Sequence, residues 1–231
     1  MIFSEKKDRS DEKGNVLFIV LLAIVLIGAL TVAVQNSGHE GSIDKEKLVI
    51  RISEVRRYAS ELERGVRFIL PNGHSEVDLR FAHPDADPDY GDLSADSDKS
   101  DQMFDRLGGG AQYRTPPPGI SDGSSWEFYG HTALPEVGTD EAELVAVLPN
   151  VTQAFCEAYN STLGYDSATQ PTDSSTCING GSSARFDAGT QFSSSPNTVN
   201  AGTFTYKPSL SGCAQCTTDS SYHVFHVLMA R

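Results

Sequence analysis

The longest pattern in the chain is an apolar run near its start, Val16–Val34, which holds nineteen residues without a charge or a proline. A helix rises about 1.5 Å per residue, so this run nearly matches the roughly 30 Å hydrocarbon core of a bilayer. Four basic side chains precede the run, and the next one is Lys45. The positive-inside bias therefore predicts a single-pass transmembrane helix over residues 15–35, with a cytoplasmic leader over residues 1–14. A cleavable secretory signal is the alternative, but its apolar region is usually only about 7–15 residues long.

A second pattern follows between Ile43 and Leu70, where apolar residues recur at steps of three and four. The stripe consists of Leu48, Ile52, Val55, Ala59, Leu62, Val66 and Ile69. This spacing predicts an amphipathic helix over residues 36–70, whose apolar face needs a sheet or a partner to cover it. Pro71-Asn72-Gly73 predicts the end of the helix and a turn. A coiled-coil stalk is the alternative, although the stripe holds few regular heptads.

Beyond residue 71 the periodicity shortens, which predicts strands in a head domain over residues 71–231. Strands are predicted at Val77–Phe81, Trp126–Gly130, Ala142–Leu148, Thr203–Tyr206 and Tyr222–Met229. Pro149–Leu163 predicts a short helix, and long loops separate these elements. The expected fold class is α+β. In it, the transmembrane helix continues through a hinge into the amphipathic helix, which packs on an antiparallel β-sheet.

Charge and cysteine content narrow the setting of the head. The formal net charge is −13, and the leader contributes nothing to it because its four basic and four acidic side chains cancel. A surface this acidic repels the phosphate backbones of nucleic acids. No nucleic-acid partner is therefore expected. The four cysteines, an even number placed after the apolar run, predict disulfides in an oxidising compartment. Local loop closure favours the pairs Cys156–Cys177 and Cys213–Cys216, but three pairings are open.

The junction between leader and apolar run resembles that of type IV prepilins. The residues that carry the resemblance are Lys13-Gly14, followed by Asn15-Val16-Leu17-Phe18. In that family a prepilin peptidase cuts just after the glycine, and the apolar helix then packs against those of sister subunits. The resemblance implies processing between Gly14 and Asn15 and a pilin-like fold. It also implies a structural role in a cell-envelope filament or secretion apparatus, with the chain at the inner membrane and its head periplasmic or extracellular.

The resemblance extends beyond the N-terminus. The segments GGGAQY and LPN and the closing HVFHVLMAR are similar to those of uncharacterised prepilin-like proteins from alphaproteobacteria. A disulfide near the C-terminal strand would likewise resemble the C-terminal disulfide loop of many pilins. Classical pilins carry a glutamate at the fifth mature position, where this chain has Ile19. That difference favours an alternative function, a permanently anchored extracytoplasmic binding module that does not polymerise.

An acidic run in the head raises the question of a metal. Carboxylates alternate along Asp85-Ala86-Asp87-Pro88-Asp89, with Gly91 and Asp96 further on. Alternating carboxylates can wrap calcium, which takes six to eight oxygen ligands. Asp85, Asp87, Asp89 and Asp96 are therefore the candidate calcium ligands, and a solvated acidic loop is the alternative. No other cofactor is expected.

Other constellations give weaker signals for chemistry. Cys213 and Cys216 with His223 and His226 resemble a zinc set, but two histidines three apart on a strand point to opposite faces. A thioredoxin-like redox role would need the CxxC at a helix N-terminus, whereas its flanks read as a loop. His74, His83 and His131 stand beside turns and are expected at the surface. We find no strand-turn-helix nucleophile motif, so the chain is not expected to be an enzyme.

Overall fold

The computed structural model of the chain describes residues 18–28, 39–95, 97–165, 170–187 and 191–231. The chain divides into two compact units, Met1–Lys47 and Leu48–Arg231. In the first unit, residues 18–28 form helix α1, whose large apolar side chains are all exposed. Helix α2 spans His39–Ile69, and its residues from Leu48 onward belong to the second unit.

The second unit is built on six strands. They are β1 Glu127–Ala133, β2 Glu143–Leu148, β3 Thr172–Asp173, β4 Asn197–Thr198, β5 Ser211–Cys216 and β6 Tyr222–Met229. Their order in the sheet is β3-β5-β6-β2-β1-β4. The four central strands pair antiparallel, whereas the two-residue edge strands β3 and β4 run parallel to their neighbours. Such short edge strands leave little open ladder for another chain to join.

Both faces of the central sheet are buried. Leu144, Ala146 and Leu148 of β2 join one apolar cluster, whereas Val145 and Val147 join a second one. Successive side chains of a strand point to opposite faces, so the two clusters are the two sides of the sheet. This explains why β2 is apolar almost throughout and does not alternate with polar residues.

The first cluster also contains most of the apolar stripe of α2. Ile52, Val55, Ala59, Leu62, Val66 and Ile69 are each no more than 3% exposed, so the predicted burial of the stripe is confirmed. At Gly65 a Cβ atom would stand 2.5 Å from the Met103 sulfur, so glycine allows the segment around Met103 to approach the helix. The helix ends in a 3₁₀ turn, Leu70–Asn72, and Gly73 follows with φ 99°, as the Pro-Asn-Gly sequence predicted.

Helix α3, Gln153–Leu163, lies in the predicted region and has recognisable ends. The Thr152 side chain accepts a hydrogen bond from the Phe155 amide at 3.3 Å, which caps the N-terminus. Gly164, with φ 93°, ends the helix in the left-handed conformation. Phe155, Cys156 and Tyr159 direct one face into the first apolar cluster.

The predicted fold class is wrong. The sheet is mixed and not antiparallel, because β3 and β4 reach the edges through long connections and run parallel to their neighbours. In the described part of the chain, no helix is both long and apolar enough to cross a membrane. Of the apolar run Val16–Val34, only residues 18–28 are described, and they are helical.

Three of the five strand predictions agree with the structure. Strands β1, β2 and β6 lie where predicted, but Val77–Phe81 and Thr203–Tyr206 are not strands. In the former segment, Asp78 accepts hydrogen bonds from the Ser75 amide and hydroxyl and so holds a turn. Both flanks of the CxxC motif were expected to be loop, but Gly212 lies with the whole motif in strand β5.

Two disulfides join β5 to the layers on its two sides. Cys213 faces the first cluster and bonds to Cys156 of α3, and Cys216 bonds to Cys177. All four cysteines are therefore paired, but the favoured pairing Cys156–Cys177 and Cys213–Cys216 is wrong. Residues three apart on a strand point to opposite faces, so Cys213 and Cys216 reach different partners. Two disulfides are typical of a protein in an oxidising compartment.

Double cysteine variants test this connectivity. Cys156→Ala/Cys213→Ala removes one whole disulfide and should leave no free thiol, whereas Cys156→Ala/Cys177→Ala should leave two. Thiol titration of the denatured, unreduced proteins measures the difference. The first variant should also lose about 4 kcal/mol of unfolding free energy, since the bond closes a loop 57 residues long. Two free thiols in the first variant and none in the second would contradict the pairing.

Candidate functional site

A cluster of charged side chains surrounds the guanidinium of Arg185. Its side chain is only 14% exposed and contacts three carboxylates, those of Asp87 at 3.0 Å, Asp89 at 2.6 Å and Glu127 at 2.8 Å. Glu127 is equally sheltered, and its second oxygen accepts a hydrogen bond from the Tyr129 hydroxyl at 2.6 Å. The arginine thus neutralises part of the acidic run from a position about a hundred residues further along the chain.

A tyrosine fastens the same loop to the sheet. Tyr90 ends the short 3₁₀ helix Pro88–Tyr90, and its buried hydroxyl bonds to both backbone groups of Phe128. It accepts from the amide at 2.7 Å and donates to the carbonyl at 3.2 Å. Burial raises the pKa of the hydroxyl well above its usual value, so it stays protonated and able to donate. The loop is therefore held in one conformation on β1.

The predicted calcium ligands are only partly brought together. Asp87 and Asp89 converge on Arg185, whereas Asp85 lies beside His83, with 3.7 Å between the carboxylate and the ring nitrogen. Asp96 lies outside the described residues. Among the described residues, no group of three His, Cys, Asp or Glu side chains is arranged to hold a metal ion. A bound guanidinium already supplies the positive charge at Asp87 and Asp89.

A set of three hydrogen-bonded side chains lies at the start of β6, formed by Asp219, Ser221 and His223. The Ser221 hydroxyl donates to Asp219 at 2.5 Å and lies 2.6 Å from Nε2 of His223. The backbone amide of Asn150 donates to Nδ1 of His223 at 3.4 Å. Nδ1 is therefore the acceptor, and Nε2 carries the proton of the neutral ring. The serine proton therefore points to the aspartate, an Asx-type turn and not the geometry of an activated nucleophile.

The same Asp-x-Ser turn recurs along the loops. Serine amides and hydroxyls also bond to the aspartate two positions earlier in the pairs Asp92–Ser94, Asp98–Ser100 and Asp122–Ser124. The serine hydroxyl, followed by the serine amide, lowers the pKa of Asp92 and Asp98, which favours their charged form. These carboxylates serve to shape exposed turns.

The histidines are distributed over separate environments. His223 and His226 lie on opposite faces of β6, as predicted, and His226 bonds to Glu63 of α2 at 3.1 Å. Burial lowers the pKa of His223 to about 4, so this ring is neutral at pH 7. His131 was expected at the surface but is only 8% exposed and bonds to the Cys177 carbonyl at 3.1 Å. Strand β1 directs the His131 ring inward. Nothing in the sequence indicated this burial, because the residue stands beside a predicted turn.

A buried carboxyl group lies at the start of β2. Glu143 is fully buried, and one oxygen accepts a hydrogen bond from the Leu134 amide at 2.9 Å. The other oxygen is buried and has no hydrogen-bond partner among the described residues. Burial raises the pKa of this carboxyl to about 7, although Arg231 opposes the shift. Sequence reasoning missed both Glu143 and Arg185, because nothing near them in the chain marks them.

The predicted processing residues Gly14 and Asn15 lie outside the described residues. Directly after them, α1 exposes nine large apolar side chains, each between 49% and 67%: Phe18, Ile19, Val20, Leu21, Leu22, Ile24, Val25, Leu26 and Ile27. Exposed apolar surface of this extent is typical of sites that interact with lipid or with other proteins.

Comparison of the chain with protein-family models, with curated proteins and with solved structures found no match.

Replacing Arg185 with methionine should destabilise the head by about 3 kcal/mol, because three carboxylates would lose their counter-ion in a sheltered place. Arg106→Met removes an exposed arginine that lies beyond the acidic run in the chain and should change the unfolding free energy by less than about 0.5 kcal/mol. Denaturant titration measures both. Millimolar calcium should leave the wild-type midpoint unchanged. A clear rise would instead identify the acidic run as a calcium site.

Replacing Glu143 with glutamine should change how stability depends on pH. The pKa of Glu143 in the folded protein, about 7, lies above its unfolded value of 4.5. Between these two pH values the native state therefore binds more protons than the unfolded state. Wild-type stability should therefore fall as pH rises from about 4.5 to 7, by up to about 3 kcal/mol. The glutamine variant should lack this loss and exceed the wild type above pH 7. Glu136→Gln, at an exposed carboxylate, is the control, and parallel wild-type and Glu143→Gln curves would refute the assignment.

Proposed function

We propose that the chain is a pilin-like or pseudopilin-like structural subunit of a cell-envelope filament or secretion apparatus. One observation carries the proposal, namely the eleven-residue apolar helix α1, whose large side chains are all exposed. Such a surface is unfavourable in water, and burying it against identical helices of sister subunits removes the cost. Processing by a prepilin peptidase between Gly14 and Asn15 would deliver the segment for that purpose.

The second unit supports this role. Its two disulfides and doubly covered sheet make a stable body suited to an oxidising space outside the cytoplasm. Before assembly the apolar segment would hold the chain at the inner membrane, with residues 1–14 on the cytoplasmic side. The head would then lie in the periplasm or, after assembly, at the cell surface.

A second function, a permanently anchored extracytoplasmic binding module, is favoured by Ile19. This residue occupies the position where classical pilins have a glutamate, and it is exposed on α1. An apolar side chain there cannot neutralise the terminal amine of a neighbouring subunit, and an unpaired charge among apolar helices is costly. Retention of the leader and the absence of subunit contacts would distinguish this function.

Intact mass and N-terminal sequencing of the protein from its native membrane or sheared-filament fraction test the proposal. The mature chain should begin at Asn15. Gly14→Val should block cleavage and leave Met1 in place, because a peptidase that cuts after glycine cannot accept the branched side chain. Gly28→Val makes the same change within α1, where no described atom apart from the adjacent helix backbone lies within 4 Å of an added Cβ, and should be processed normally.

Cysteine cross-linking then tests assembly. A Leu22→Cys variant, exposed on α1, should form disulfide-linked dimers in the membrane fraction if sister helices cover this surface. An uncleaved leader, or only monomers after oxidation, would sink the filament proposal and leave the binding module.

A further inference from the structure

The side of α2 that points away from the core carries a continuous stripe of exposed side chains. At 3.6 residues per turn, its members fall within about 120° of the helix circumference and extend over about 28 Å. They are Val49, Ile50, Ser53, Arg56, Arg57, Ser60, Arg64, Arg67 and Phe68. We call this set the arginine stripe. It lies wholly in the second unit.

The stripe reverses the charge of the rest of the head. It holds four arginines and no acidic residue, whereas residues 71–231 hold 21 acidic and seven basic side chains, a formal charge of −14. Arg67 pairs with Glu63 at 2.6 Å. Within the described residues, Arg56, Arg57 and Arg64 form no ion pair. All three of these arginines are exposed, on a head domain that is otherwise acidic.

The stripe also has apolar ends. Val49 and Ile50 at one end and Phe68 at the other are each 57% exposed. Apolar anchors beside arginines, with few other charges, are the composition typical of protein–protein interfaces. A helix face meant only for solvent would more commonly mix acidic and basic residues and place no phenylalanine outward.

We propose that the arginine stripe docks on the acidic segment, residues 84–105, of a second copy of this chain. That segment holds eight aspartates and one lysine. Asp85, Asp92 and Asp98 are exposed, whereas Arg185 occupies Asp87 and Asp89. The planar fork of arginine matches carboxylates in pairs, which suits such a contact better than lysine does.

The two surfaces are different patches of the chain, so the contact is heterologous and each copy offers one donor and one acceptor surface. Such contacts build rings or open filaments. The inference rests on the proposed function, because it names the partner and the surface of that assembly. An anionic lipid surface is the competing occupant. In α2, however, the apolar stripe that would enter a membrane is buried in the head.

Two defective variants that rescue each other provide the test. In the full chain, purified in detergent micelles, Arg57→Glu/Arg64→Glu removes the donor surface. Asp85→Asn/Asp92→Asn/Asp98→Asn removes the acceptor charges, while asparagine can still accept the turn hydrogen bonds from Ser94 and Ser100. Each variant alone should lose self-association at least about tenfold at low salt. Mixed together, they should form one-to-one dimers through the one intact interface.

Controls separate this contact from other causes. Lys207→Glu reverses one charge outside both surfaces and should associate like the wild type, whereas Arg64→Glu should not. Salt of about 0.5 M should weaken the self-association of the wild type to the level of the charge variants. Dimers that form equally well in all variants, or a failure of the mixture to rescue, would overturn the proposal. So would loss of binding to phosphatidylglycerol vesicles by Arg57→Glu/Arg64→Glu with unchanged self-association, because the stripe would then be a lipid site.

The outcome is independent of processing. If the chain is cleaved after Gly14 but the arginine substitutions do not change its self-association, the docking surface is refuted and the proposed function is not. Charge-dependent association of a chain that keeps its leader would establish the surface and refute the pilin-like role.

Discussion

The burial of β2 and β6 between two apolar layers is the constraint on which the rest of the head depends. A strand covered on both faces must be apolar at nearly every position, and its neighbours must supply partners on both sides. The helix side is supplied by α2 and α3, and the opposite side by loop residues such as Leu134, Ile178 and Phe204. Loops are poor at covering a sheet because ordering them costs conformational entropy.

The disulfides address that weakness. Cys213 and Cys216 leave the same strand in opposite directions, so one bond secures α3 on the first layer and the other secures the segment around Cys177 on the second. Cross-links of this kind act mainly on the unfolded chain by reducing its freedom. The long connections that build the second layer are thus tolerated, and the same requirement ties this fold to an oxidising compartment.

Local pattern predicted the elements whose stability is local. The three- and four-residue spacing located α2, the apolar residues between Pro149 and Leu163 located α3, and short segments rich in apolar and aromatic residues located β1, β2 and β6. Strands β3 and β4 are two residues long, so no periodicity could reveal them. They exist only because distant segments meet at the sheet edges, and it is these edges that make the sheet mixed.

The candidate sites follow the same division. The acidic run was visible in the sequence, but its partner Arg185 lies 96 positions beyond Asp89, and no spacing rule connects them. The pairing of Cys213 was mispredicted because proximity in sequence was weighed before strand geometry. Glu143 and His131 were invisible for another reason, since a polar residue in a strand pattern reads as solvent-facing until the second apolar layer is known.

The chain has two exposed surfaces that could contact a second subunit, the apolar side chains of α1 and the arginine stripe of α2. Their chemistry differs, so they would have different functions in the proposed assembly. The apolar side chains of α1 would contribute affinity that scales with buried area and depends little on salt. The arginines of α2 would contribute little net affinity, because each guanidinium must lose water to pair with a carboxylate. They would instead select the partner and its register, since like charges meeting there are unfavourable. An assembly held by identical apolar helices alone could slip along their length. A charged stripe about 28 Å long that recognises one acidic segment would remove that freedom.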